Sequence, residues 1–269
     1  MPKLRRIAFW PTAGSLSDPW FEEPERSDVA LDRFLRASRS PAEAFSALLE
    51  DEAVDTPHSS SIGFTGRAHD GPDVTVLVER SFHRGGEEGG VILIPMRLRE
   101  ASSEVIRVLA GEALVAGAVG VAELRALEMS RVLRAAASLR QAQYRFAFTG
   151  PWKSSRDRKT RVRLEARIAD DGFARLCLRV ARDGAVNLSA EFIGSTTIES
   201  IRRASRSVRW ISSEHVQVDS GAVFDAHQIE VTVSTGAVVT SRSLDEPRVE
   251  HSSRTQLDLD VRIVTELVG

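Results

Sequence analysis

The chain has 269 residues, of which 42% are apolar and 28% charged, with a formal net charge of −2. This is ordinary for a soluble globular protein with a full core, in one large domain or two small ones, and leaves no global field that favours nucleic acid or a membrane. The one cysteine, Cys177, excludes an intrachain disulfide and a cysteine-rich zinc site.

All but three of the 36 basic residues are arginines. Arginine is the better donor to planar anions, although a GC-rich bacterial genome produces the same bias. Lys3, Arg5 and Arg6 are not followed by an apolar segment of the kind that directs export. The longest apolar run, Ala113–Ala122, is too short to span a bilayer. A cytoplasmic protein is expected.

In chain order, residues 4–10 read as an edge strand and 11–26 as a loop. A helix capped by Ser27 or Asp28 runs to about Ala37, with Leu31, Phe34 and Leu35 on one side. Ser40-Pro41-Ala42-Glu43 has the form of a capping box with proline at the first helical position, which predicts a second short helix. Residues 51–61 read as polar loop. Asp73–Phe82 and Gly90–Leu98 form a hairpin, with Pro95 marking an edge or a bulge. Ser102 or Ser103 starts a helical region that reaches about Gln143, amphipathic in its second half, which Gly111, Gly117 and Gly120 can split.

The stretch 161–193 predicts three antiparallel strands: Arg161–Ala169, Phe173–Ala181 and Ala185–Ile193. They are joined by the three-residue loops Asp170-Asp171-Gly172 and Arg182-Asp183-Gly184. One face then carries Val162/Val180/Val186, Leu164/Leu178/Leu188, Ala166/Leu176/Ala190 and Ile168/Ala174/Phe192. The other carries Arg163/Arg179/Asn187, Glu165/Cys177/Ser189 and Arg167/Arg175/Glu191. A short helix near Thr197–Arg206 follows, then strands near 207–218, 223–233, 237–243 and 255–267. In the last, Leu257, Leu259, Val261 and Ile263 alternate with Gln256, Asp258, Asp260 and Arg262. The expected class is α+β, an antiparallel sheet (the meander 161–193 plus the C-terminal strands) packed against helices from the N-terminal half. A division into 1–150 and 151–269 is expected, or a single domain.

The arginine face is the leading candidate site. Arg163 opposite Arg179 and Arg167 opposite Arg175 place like charges across a ladder, at a cost of roughly 0.2–1 kcal/mol each unless an anion or acid intervenes. The loop before it adds Trp152, Arg156, Arg158 and Lys159. Together these would bind an acidic protein partner or a polyanion. Nucleic acid is a less favoured polyanion, since no aromatic RNA-binding signature or helix-turn-helix accompanies the patch. The competing view is internal neutralisation by Glu165, Glu191, Asp258 and Asp260.

Three further groups have both a functional and a structural interpretation. Arg202-Arg203-Ala204-Ser205 offers Ser205 for phosphorylation beside basic residues, or is the solvated side of a short helix. His69, Asp73, Glu79 and His83 suggest a metal-dependent hydrolase or nuclease. However, Asp73 and Glu79 lie about 20 Å apart on a regular strand, too far for one metal. Cys177 lies between Arg175 and Arg179, which would lower its thiol pKa if it were exposed, with His215 and His227 the nearest histidines in this half. No G-x-S-x-G elbow, phosphate-binding loop or dinucleotide glycine pattern occurs. The sequence therefore favours a non-catalytic binding protein with no cofactor and no metal. A metal-dependent enzyme and a structural subunit of an assembly, the latter suggested by edge-like strands and a small-residue helix, are the alternatives.

Overall fold

The computed structural model describes residues 2–11, 29–57, 59–79, 88–220, 228–240 and 261–268. Its elements are β1 (Arg6–Pro11), α1 (Val29–Glu52), β2 (Ser61–His69), β3 (Val74–Glu79), β4 (Glu88–Pro95), a 3₁₀ helix (Met96–Glu100), α2 (Ser103–Arg125), α3 (Met129–Gln141) and β5 (Ala147–Thr149). Then come β6 (Lys153–Ser154), β7 (Thr160–Ile168), β8 (Ala174–Arg182), β9 (Ala185–Leu188), β10 (Phe192–Gly194) and α4 (Ile198–Ser207). The chain continues through β11 (Arg209–Trp210), β12 (His215–Asp219), β13 (Gln228–Thr232), β14 (Val238–Thr240) and β15 (Ile263–Val268). The protein is α+β. It divides into two compact units, one of residues 1–146, 170–172 and 247–269, the other of residues 147–169 and 173–246.

In the first unit, helices α1 and α2 pack on a mixed sheet of order β1-β2-β4-β3-β15, and α3 packs on those two helices. The β1–β2, β2–β4 and β3–β15 pairings are parallel, and only the β3–β4 hairpin is antiparallel. The C-terminal strand thus joins the N-terminal hairpin; residues 256–260 of its expected alternation lie outside the described residues. Ile7, Phe9, Ile62, Phe64, Val74, Val76, Val78, Ile92 and Ile94 are buried in this unit. β2 reads as polar and glycine-rich and is not anticipated from the sequence. It is nevertheless an internal strand, paired with β1 on one side and β4 on the other, and a side chain at Gly66 would run into Phe9 and Leu31.

Two helices were expected between residues 28 and 49, but α1 is continuous through Pro41. Proline removes one main-chain donor from a helix interior. The buried row on either side of it (Leu31, Phe34 and Leu35, then Ala42, Phe45 and Leu49) forms one apolar stripe that holds the helix against the sheet. Ser40, which the capping box would place ahead of a helix, instead accepts a hydrogen bond from the Phe146 N–H (2.9 Å).

The Ser102 hydroxyl caps α2 by accepting from the Val105 N–H (3.3 Å), and the helix ends at Ala126 in the left-handed conformation. Its length and apolar composition would suffice to cross a membrane, and most of that apolar surface is buried within the protein. The glycines do not split it. Gly111 admits the Tyr144 ring and Gly117 the Phe64 ring. Arg107 is fully buried on the same helix and pairs with Asp170, and with Glu104 at 3.5 Å. The Tyr144 hydroxyl donates to Glu112, which also accepts two bonds from Arg140 (2.7 Å each).

In the second unit, one sheet has the order β10-β8-β7-β5, with β6 also on β7 and β9 also on β8. A four-stranded antiparallel sheet runs β11-β12-β13-β14. The expected strand over 207–218 is broken into the β11–β12 hairpin, in which Arg209 pairs with Gln217. α4 begins at Thr197, whose hydroxyl accepts from the Ser200 N–H.

Replacing Gly117 by leucine sets a small gain in helix propensity against a rigid ring. We expect overpacking to win, with a loss of about 1–3 kcal/mol in chemical denaturation.

Candidate anion-binding face

The β7–β8 hairpin has the expected register. Val162 faces Val180, Leu164 faces Leu178, Ala166 faces Leu176 and Ile168 faces Ala174, all buried; Arg163 faces Arg179, Glu165 faces Cys177 and Arg167 faces Arg175. Gly172 closes the Asp170-Asp171-Gly172 loop at φ +83.

The third strand differs. β8 and β9 are joined by a two-residue turn, Asp183-Gly184, both at positive φ (49° and 82°), and Arg182 pairs with Ala185. This geometry matches the right-handed twist of a hairpin, which favours Asp-Gly. The one-residue slip sends Val186 and Leu188 to the surface, 52% and 54% exposed, because strand faces alternate. An extra residue near Ser189 corrects the phase. The Ser189 hydroxyl accepts from the Leu178 N–H (2.9 Å), and Phe192 returns to the core opposite Leu176.

Glu165 lies between the facing arginines. It accepts from Arg163 (Nε, 3.0 Å) and, through both oxygens, from Arg179 (2.6 and 3.0 Å). Hydrogen bonding to Arg179 first, and then to Arg163, holds its carboxyl below the usual range despite burial. Glu191 takes Arg167 with three contacts of 3.0–3.1 Å. Arg175, half-buried, faces Arg167. Asp258 and Asp260 lie outside the described residues.

The positive charge is least offset where β6 turns into β7. Here Arg156, Arg158 and Lys159 are exposed. Asp157, the one acid in the turn, accepts from the Ser155 hydroxyl (2.6 Å) and the Lys159 N–H (3.1 Å), and its exposed carboxylate offsets Lys159 in part, so the turn keeps an excess of positive charge. These bonds, the Ser155 contact foremost, lower its pKa and keep the carboxylate directed into the turn. Trp152 sits at the jog between β5 and β6, with the Arg161 and Arg163 guanidiniums 4.9 and 4.7 Å from its ring centroid. Arg161, absent from the expected set, shares the parity of Arg163 along β7, which is the signal that could have found it. Lys153 points elsewhere. Its ammonium donates to the Arg206 and Val208 carbonyls at the end of α4 (2.6 and 2.7 Å).

Cys177 does not meet the condition of exposure. It is half-buried, and burial, followed by Glu165 and Glu191, pushes its thiol pKa up. Of the two histidines considered with it, His215 meets Ser212 (3.0 Å) and Glu230 (3.8 Å), and His227 lies outside the described residues. Ser205 is also corrected. It is buried on α4, 2% exposed, and so is closed to a modifying enzyme in this fold.

In the His69 region, the Gly71 N–H donates to His69 Nδ1 (3.2 Å), which leaves the proton on Nε2 to donate to the Asp73 carbonyl (2.9 Å). Asp73 accepts from the Arg262 N–H (3.1 Å). Among the described residues no three His, Cys, Asp or Glu side chains converge as metal ligands; His83 lies outside them. The chain matches no family model, no curated protein and no solved structure.

Glu165 is depressed in the folded state, so its contribution to stability is present above about pH 4.3, its unfolded value, and is lost as pH falls through the lower folded value. Glu165→Gln should therefore destabilise the protein clearly at pH 7, and the gap to wild type should shrink at pH 3 in paired denaturation curves.

Proposed function

We propose that the chain is a binding protein whose arginine-rich sheet face contacts an acidic protein partner or another polyanion. The contact centres on the β6–β7 turn and Trp152. The observation that carries this reading is the contrast between the ladder arginines and the turn that precedes them. Arg163, Arg179 and Arg167 are held by Glu165 and Glu191, while Arg156, Arg158 and Lys159 are exposed beside an acid tied into its own turn.

Arg161 and Arg163 lie against an aromatic face, which restrains two long side chains and lowers the entropy lost on binding. Arginine forks suit carboxylate and phosphate geometry alike. The ladder arginines have a second duty, since removing them would leave Glu165 without its partners. The turn residues have no such duty and make the cleaner test.

Polyglutamate and heparin are suitable probes, with Trp fluorescence and calorimetry as readouts across a salt series. Three exposed charges at about 0.5 kcal/mol each amount to roughly tenfold in affinity. Arg156→Ser/Arg158→Ser/Lys159→Ser should weaken binding of one or both probes by about that factor, flatten the salt dependence and leave the unfolding transition in place. Unchanged affinity in the triple variant would remove the turn from the binding surface.

A further inference from the structure

We propose that β15 is a self-complementary edge through which two copies of this chain pair, joining their first-unit sheets antiparallel about a twofold axis at Val264. The site is distinct from the arginine face and its failure would leave that reading intact.

β15 ends the order β1-β2-β4-β3-β15, and no described strand lies on its other side. Arg262, Val264, Thr265, Glu266 and Leu267 are all exposed. The strand carries no proline or lysine, two of the usual devices that blunt an open edge.

The direction of its free groups is fixed by the ladder with β3. The Val74 N–H donates to the Arg262 carbonyl (3.0 Å), and Val74 is in register with Ile263. In a parallel ladder this turns the main-chain groups of Arg262, Val264 and Glu266 toward β3. It turns those of Ile263, Thr265 and Leu267 away, toward the open side.

Two such strands can bond only if outward residues face outward residues. For a twofold pair the axis then passes through a residue, since an axis between residues sets an outward group against an inward one; an axis at Arg262 or Glu266 would set that charge against its own copy, which leaves Ile263, Val264 and Thr265. With the axis at Ile263, Arg262 faces the partner's Val264. With the axis at Thr265, Glu266 faces the partner's Val264. Only the axis at Val264 sets Arg262 against the partner's Glu266, and by symmetry it does so twice.

These are the non-hydrogen-bonded positions, where facing side chains approach most closely. Ile263 and the partner's Thr265 exchange the main-chain bonds. The two charges that would repel a mismatched strand therefore specify one register. On the helix-covered side the junction would also extend the groove lined by Val115, Ala116, Val119, Leu133 and Leu267, in which Leu133 and Leu267 are 48% and 45% exposed.

The test is sedimentation velocity of the full chain over a wide concentration range, with three variants. Wild type should show a monomer–dimer equilibrium. Arg262→Glu and Glu266→Arg should each weaken it by about tenfold or more, because each reversal turns both symmetry-related pairs from attraction to repulsion. Arg262→Glu/Glu266→Arg should restore it. A wild type that stays monomeric, single variants that dimerise normally, or a double variant that fails to recover would each overturn the proposal.

Discussion

One carboxylate placed between two arginines makes the central ladder of the second unit tolerable. Without Glu165, Arg163 and Arg179 would confront each other across β7 and β8, where facing side chains are nearest neighbours. With it, the pairing runs the full length of both strands, its inner face fills with Val, Leu, Ile and Ala, and its outer face keeps a graded charge. The same ion pairs that permit the hairpin also determine which cations remain for a ligand. On the proposed reading, the arginines held by Glu165 and Glu191 keep the sheet together and the exposed turn residues Arg156, Arg158 and Lys159 meet the ligand.

The first unit rests on a different constraint, the distance at which α2 lies over its sheet. Glycine at 117 admits the Phe64 ring of β2, and glycine at 120 lies against Val78 of β3 and Leu267 of β15. That close approach brings α2 against β3 and β15 as well. A buried Arg107 on the same helix is paired with Asp170 and Glu104, a costly arrangement to break because the guanidinium would be left without compensation.

Much of this was legible in the sequence where signals were local. The Asp-Asp-Gly loop and strict alternation fixed the β7–β8 register residue by residue. The next turn is ambiguous by one position, since Arg182-Asp183-Gly184 can close a loop of three or, with Asp183 also left-handed, a turn of two; the twist of the hairpin selects the second. Pro41 interrupts α1 in the sequence but not in the fold, because proline is a local signal and the shared apolar stripe is a tertiary one. β2 is not legible because its glycines imitate a loop, and the place of Gly66 under Phe9 and Leu31 is apparent only once the helix is in position. The arginine face was visible as composition, but the grading of its charge depends on which arginines Glu165 and Glu191 can reach.

Tyr144 is the only tyrosine in the chain. Burial, and then its bond to Glu112, raise its pKa to about 12. A phenol exposed by unfolding would ionise about two pH units earlier, near 10. Phenolate absorbance in the interval between those values is therefore a single-site optical gauge of whether the α2–α3 pair is closed, built into the native chain without any label.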